Sequence, residues 1–87
     1  MKSCQVVITN TSGLHAKPAS FFTQKALSYR CSIWVEKGER KVNAKSLLGV
    51  LSMGIAKGMT ITLIADGQDE ELALQGLEEL INSGLSE

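Results

Sequence analysis

The chain's single histidine, His15, lies three residues before its single proline in the segment Ser12-Gly13-Leu14-His15-Ala16-Lys17-Pro18-Ala19. A neutral imidazole nitrogen is a nucleophile that can be covalently modified, and Lys17 brings a positive charge close to it. Gly13 permits a sharp backbone turn, and Pro18 is tolerated in the first turn of a helix. The segment therefore predicts a loop that turns and starts a helix, with His15 near the N-cap.

The start of a helix favours an anion beside the His15 ring. The first backbone N–H groups have no intrahelical acceptor, and the positive end of the helix dipole lies there. We interpret His15 as the acceptor of a phosphoryl group, stabilised by the Lys17 charge and by the backbone amides of Ala16 and Lys17. The alternative is a polar cap or a solvated surface histidine, because any helix N-terminus attracts anions weakly, by about 0.3–1 kcal/mol.

A second candidate residue is Ser46, which directly precedes an apolar segment. Serine is a favoured N-cap and Gly54 suits the position after a helix, so a short helix is predicted between them. Leu47, Leu48 and Leu51 cannot all face inward on so short a helix. We expect an exposed apolar patch there, with ordinary core leucines as the alternative.

Hydrophobic periodicity predicts the elements that position these residues. Alternating patterns predict strands over 5–9, 31–36, 41–43 and 59–65, with Met59, Ile61, Leu63 and Ala65 on the inner face of the last strand. Helical spacing predicts helices over 16 to about 29, over 47–53 and from a cap at Asp69 to a stop at Gly84. Lys37-Gly38-Glu39-Arg40 is typical of a hairpin turn with glycine at its first central position.

This order, βαββαβα, predicts an α+β fold. We expect an open-faced β-sandwich, in which a four-stranded antiparallel sheet carries three helices on one face, within a single domain over residues 1–87. The uncovered face of the sheet would present six side chains to water: Gln5, Val7, Trp34, Thr60, Thr62 and Ile64.

Composition argues against several classes of protein. Nine basic residues balance nine acidic ones, so no charge excess favours direct binding of nucleic acid or insertion into an anionic membrane. No apolar run approaches the ~20 residues of a membrane helix. Two cysteines, Cys4 and Cys31, are not a disulfide framework, and without a Cys/His cluster we expect no metal site. We expect a cytoplasmic protein.

Two motifs and the order of elements resemble the HPr family of phosphocarriers from the bacterial phosphoenolpyruvate:sugar phosphotransferase system. The first motif is Gly13-Leu14-His15-Ala16-Lys17-Pro18-Ala19. The second is Val42-Asn43-Ala44-Lys45-Ser46-Leu47-Leu48-Gly49-Val50-Leu51-Ser52-Met53-Gly54-Ile55. The resemblance implies that Nδ1 of His15 accepts a phosphoryl group from Enzyme I and passes it to IIA domains of sugar transporters. It implies a covalent carrier without a cofactor, rather than a turnover enzyme.

Lys17 departs from the family pattern, which usually has arginine at this position. Lysine keeps the charge but loses the planar fork that binds phosphate through two donors. We therefore expect Lys17 to support transfer with looser positioning of the phosphate.

Ser46 matches the regulatory serine of the Gram-positive branch. The resemblance implies phosphorylation by HPr kinase/phosphorylase, slower transfer from Enzyme I, and corepression with a catabolite-control transcription factor. A phosphate at a helix N-cap would meet unpaired amides; a plain N-cap serine is the alternative. Leu47, Leu48 and Leu51, with Phe21, would form a docking patch rimmed by lysines: Lys17, Lys25 and Lys45.

Three other functions remain open at this point. An HPr-like protein could act mainly as a regulatory corepressor through Ser46, although retention of His15 favours a carrier. A carrier for a nitrogen-related branch is disfavoured by the Ser46 motif. A binding module of the same fold without phosphorylation is disfavoured by the presence of both motifs.

Overall fold

The computed structural model describes residues 1–85 as four strands and three helices in the predicted order. The strands are β1 (Lys2–Val7), β2 (Ser32–Lys37), β3 (Arg40–Asn43) and β4 (Thr60–Asp66). The helices are α1 (Ala16–Leu27), α2 (Leu47–Ser52) and α3 (Glu70–Asn82). Strands pair antiparallel in the order β1-β4-β2-β3. No helix within residues 1–85 has the length and apolar character needed to cross a bilayer.

All three helices cover one face of the sheet, which confirms the predicted open-faced sandwich. α3 packs on β1 and β4, while α1 lies against α2 and α3. Side chains from both layers meet in one core, whose largest fully buried members are Phe22, Ile8, Ile33, Ile55, Ile61, Leu63, Leu77, Ile81 and Leu85. The alternation in β4 places Ile61, Leu63 and Ala65 in this core.

Two strand predictions were wrong in detail. Met59 was expected on the inner face, but it precedes β4 and is 37% exposed. The first strand begins at Lys2 and ends at Val7 instead of spanning 5–9, because β1 pairs with β4 from Lys2↔Ala65 to Val7↔Thr60. Cross-strand hydrogen bonding, rather than β-branched content, therefore sets the length of β1.

A two-residue turn joins β2 to β3. Lys37 and Arg40 pair across the strands, and Gly38 has φ +60°. Glu39 does not have a positive φ, so the turn has the glycine requirement of type II′. This confirms the predicted hairpin.

The start of α3 differs from the prediction, whereas its end agrees. Asp69 occupies the N-cap position, but its side chain makes no cap hydrogen bond. Its carboxylate accepts instead from the backbone N–H groups of Arg30 and Cys31, both at 2.9 Å. At the other end, the Leu85 amide donates to the Leu80 carbonyl at 3.0 Å, and Leu85 is fully buried, as expected for a chain that folds back over a helix stop.

Candidate functional site

The loop that carries His15 is held from behind by a buried asparagine. Asn10 is 4% exposed, and its Nδ2 donates to the Gly13 carbonyl at 2.8 Å. The Gly13 amide returns a hydrogen bond to the Asn10 carbonyl at 3.2 Å. These two bonds close a tight turn immediately before the histidine.

Gly13 is required where this turn meets the segment after α2. Its φ is +61°, and a Cβ at this position would lie 2.5 Å from the Ile55 carbonyl oxygen. The next residue, Leu14, is buried and donates its amide to that same carbonyl at 3.0 Å. The His15 loop and the segment after α2 are therefore in direct backbone contact.

His15 is the N-cap of α1, as predicted. Its backbone is extended (φ −80°, ψ −170°), and its side chain makes no cap hydrogen bond to the helix. The side chains of His15, Ala16 and Lys17 are exposed, whereas those on either side, Leu14 and Pro18, are buried. Two buried anchors thus hold an exposed tripeptide at the surface.

The first turn of α1 provides two amide donors beside His15. Intrahelical bonding begins with the Ala19 amide, which donates to the His15 carbonyl at 2.8 Å. Pro18 has no N–H, and the amides of Ala16 and Lys17 precede the first residue with an intrahelical acceptor. Oriented amides and the helix dipole make this position favourable for an anion.

Helices α1 and α2 are in contact, and hydrogen bonds near their ends indicate that they run in opposite directions. The start of α1 meets the end of α2 through the bond from Leu14 to Ile55. The end of α1 meets the start of α2, where Lys45 Nζ donates to the Tyr29 carbonyl at 2.7 Å. His15 and Ser46 therefore lie at opposite ends of α2, which at six residues is about 9 Å long.

Ser46 is the N-cap of α2 and uses its side chain for this purpose. Its Oγ accepts from the Gly49 amide at 3.1 Å, which confirms the predicted cap. Gly49 lacks the Cβ that would lie 3.2 Å from that oxygen. Ser46 is half-buried, and its hydroxyl lies against the first turn of the helix.

The predicted docking residues differ in exposure. Leu48 is 80% exposed and Leu47 is 38% exposed, so both present apolar surface on α2. Leu51 is half-buried and packs against the core, and Phe21 on α1 is half-buried. Exposed apolar surface is therefore concentrated on Leu47 and Leu48, towards the Ser46 end of the helix.

Of the predicted lysine rim, Lys45 is directed elsewhere, since its ammonium binds the Tyr29 carbonyl. Lys25 lies 5.8 Å from the centroid of the Tyr29 ring, and Lys17 is exposed. Of these three lysines, only Lys17 therefore remains in the predicted rim near His15.

Three residues that support this region were not singled out from the sequence. Asn10 could have been recognised from its place in the turn segment Asn10-Thr11-Ser12-Gly13. Lys37 and Arg40 donate to carbonyls at the end of α2, and no spacing signal connects a hairpin with that helix.

Neither cysteine offers a competing nucleophile of ordinary reactivity. Both thiols are unpaired, and burial, with a hydrogen bond to Asp69, raises the pKa of Cys31 to about 11. Burial also raises the pKa of Cys4. Over residues 1–85, no group of three or more His, Cys, Asp or Glu side chains is arranged to hold a metal ion.

Comparisons with known proteins agree on one family. Residues 2–83 match the model of the PTS HPr component phosphorylation site. The chain is 45% identical to the HPr-like protein Crh of Halalkalibacterium halodurans over 84% of this chain and 87% of that one. It is 40% identical to the phosphocarrier protein HPr of Neisseria meningitidis over 94% and 92% of the two chains. The crystal structure of HPr-C-His from Thermoanaerobacter tengcongensis superimposes with a TM-score of 0.97 at 46% identity, covering 100% of this chain and 98% of that one.

Proposed function

Since the chain belongs to the HPr family of the phosphotransferase system, we propose that it carries a phosphoryl group on Nδ1 of His15. It receives the group, derived from phosphoenolpyruvate, from Enzyme I and passes it to sugar-specific IIA domains. It acts as a covalent intermediate in the cytoplasm, within a single domain over residues 1–87, rather than as a turnover enzyme.

The observation that carries this proposal is the exposed His15 side chain at the N-cap of α1, unused by the helix itself. Two partners must reach the same nitrogen in turn, so the acceptor has to lie at the surface. A side chain that capped its own helix would occupy the donors that a phosphate needs.

Each transfer exchanges one bond to phosphorus for another. The Nδ1 lone pair of a neutral imidazole, protonated at Nε2, forms the new N–P bond as the bond to the donor breaks, and the donor keeps that electron pair. Charge spreads over the three phosphoryl oxygens during transfer. The amides of Ala16 and Lys17 and the Lys17 ammonium stabilise this charge.

Regulation is proposed at Ser46, through HPr kinase/phosphorylase. The phosphorylated form would transfer more slowly and bind a catabolite-control transcription factor. Support comes from the position of Ser46 Oγ, which already accepts from the Gly49 amide beside Leu47 and Leu48. A phosphate there adds negative charge next to an apolar docking surface.

The carrier function is tested by mixing the protein with phosphoenolpyruvate and Enzyme I. Intact-mass measurement should show a gain of one acid-labile phosphate in the wild type and in Ser46→Ala. His15→Ala should show none. A wild-type protein that gains no phosphate, or a gain that survives in His15→Ala, would refute the proposal.

A second candidate, an HPr-like regulator acting mainly through Ser46, is favoured by the 45% identity to Crh. Incubation with HPr kinase/phosphorylase and ATP distinguishes the two. A carrier under regulation is phosphorylated in both assays, whereas a pure regulator gains phosphate only with the kinase, and Ser46→Ala loses that gain.

A further inference from the structure

The β2–β3 hairpin directs two cations at the end of α2. Arg40 Nη1 donates to the Ser52 carbonyl at 2.8 Å, and Nη2 donates to Ser52 Oγ at 3.1 Å. Lys37 Nζ donates to the Met53 carbonyl at 2.9 Å. These are the last residue of α2 and its C-cap. We call the four residues Lys37, Arg40, Ser52 and Met53 the hairpin clamp.

α2 depends on contacts of this kind because it is too short to be stable alone. It has six residues, including Gly49, whereas isolated helices below about 12–15 residues are marginal in water. Val50 and Met53 anchor its inner side in the core. The hairpin clamp adds positive charge at the negative end of the helix dipole and satisfies carbonyls that have no intrahelical donor.

The segment after the hairpin clamp leads directly to the His15 loop. Two residues beyond Met53, the Ile55 carbonyl accepts from the Leu14 amide at 3.0 Å. Gly13 packs against the same carbonyl and against Ala56. A shift in the end of α2 would thus displace the residue that precedes His15.

We propose that Arg40 and Lys37 are positioning residues for phosphoryl transfer. They fix α2 so that Leu48 faces a partner while the Ile55 carbonyl holds the backbone of the His15 loop. Neither side chain is assigned contact with the phosphoryl group. The inference rests on the proposed carrier function and adds a residue set on a different element, the hairpin.

The test compares Arg40→Ala with Lys41→Ala. Both remove one positive charge from β3, but Lys41 lies on the other side of the sheet, with Nζ 4.9 Å from the centroid of the Trp34 ring. The readouts are kcat and KM of Enzyme I with this protein as phosphoryl acceptor, and hydrogen exchange of the Leu14 amide.

Arg40→Ala should raise KM about fivefold through the displaced docking helix and lower kcat about twofold through the loosened His15 loop. The Leu14 amide should exchange about tenfold faster. Arg40→Lys should recover most of the KM, since one donor still reaches the Ser52 carbonyl. Lys41→Ala should match the wild type in both readouts.

Equal KM values and equal Leu14 exchange in Arg40→Ala and Lys41→Ala would overturn the inference. Should Arg40→Ala fail to fold, Lys37→Ala removes the other cation, whose Nζ donates to the Met53 carbonyl, and is judged by the same criteria. If the wild type itself accepts no phosphate, the carrier function fails, and Leu14 exchange in Arg40→Ala against Lys41→Ala then decides whether the hairpin clamp holds the loop.

Discussion

The two proposed modification sites both begin a helix, yet they use the N-cap in opposite ways. His15 supplies backbone geometry to α1, but its imidazole makes no hydrogen bond to the helix. Ser46 supplies both geometry and a side-chain acceptor, 3.1 Å from the Gly49 amide. One helix start leaves its side chain exposed for chemistry, and the other uses its side chain for stability.

Under the proposed function, this difference separates the site of phosphoryl transfer from the site of regulation. The His15 side chain makes no cap hydrogen bond, so we expect a group arriving there to leave the start of α1 intact. A group arriving on Ser46 Oγ replaces an existing cap and must re-form contacts with the same amide. The comparison predicts that the two sites differ in what their loss costs the protein.

The largest expected effect concerns the support behind His15. Asn10→Ala removes a buried hydrogen bond to the Gly13 carbonyl and should lower the free energy of unfolding by about 1–3 kcal/mol. Urea denaturation measures this, with Gln5→Ala on the exposed sheet face as the control. A change below about 0.5 kcal/mol would show that the turn before His15 holds without Asn10.

Lys17 is expected to matter for transfer and little for stability. Lys17→Ala should slow Enzyme I-dependent phosphorylation about tenfold, equivalent to about 1.4 kcal/mol, because one charge beside the phosphoryl group is lost. Lys17→Arg should transfer at least as fast as the wild type, since guanidinium offers two donors. Mass measurement of samples quenched at set times gives the rates. A Lys17→Ala protein that is phosphorylated as fast as wild type would show that Lys17 does not contribute to transfer.

The comparison of the two caps is sharpened by measuring stability after each is deleted. Ser46→Ala should lower the free energy of unfolding by about 1 kcal/mol through loss of the cap. His15→Ala should stay within about 0.5 kcal/mol of wild type, because its side chain caps nothing. Thermal or urea denaturation gives both values, and equal losses would contradict the distinction drawn between the sites.

Asp69 extends the comparison to the third helix, and changes at this residue are expected to have the smallest effect. The N–H groups of Arg30 and Cys31 hold its pKa below the ordinary value of 3.8. A depressed pKa in the folded state means stability that is present above that ordinary value and lost as the pH falls through the folded pKa. The wild type should therefore lose stability on acidification more steeply than Asp69→Asn.

Urea denaturation between about pH 6 and pH 3 tests this expectation. Glu79→Gln, an exposed carboxylate near the end of the same helix, serves as the control and should follow the wild-type curve. Parallel curves for wild type and Asp69→Asn would show that the two amide contacts do not stabilise the fold through the charged carboxylate.

Local signals predicted most of the fold and the two helix starts. Ser46 and Gly54 bound α2, Gly38 has the positive φ that the hairpin requires, and His15 lies at the N-cap of α1. Each of these depends on residues within one turn of one another. The physics that decides them is contained in a few consecutive side chains.

Contacts between distant segments could not be predicted in the same way. The Asp69 carboxylate was expected to cap its own helix, but it accepts from the Cys31 amide, 38 residues away in sequence. Lys45 was expected at a docking rim, but its ammonium binds the Tyr29 carbonyl. In both cases tertiary packing brought the side chain to a backbone group that is distant in sequence. For the same reason, the contacts of Arg40 and Lys37 with the end of α2 could not be predicted from the sequence.

The uncovered sheet face has a practical consequence through Trp34. It is the only tryptophan in the chain, and it projects away from the helices with the Lys41 ammonium over its ring. Its fluorescence emission will report the integrity of the sheet and events on that face, while a partner seated on α1 and α2 leaves its surroundings unchanged. Optical titrations of the helical side therefore need a dye placed there, and the native indole provides an internal reference.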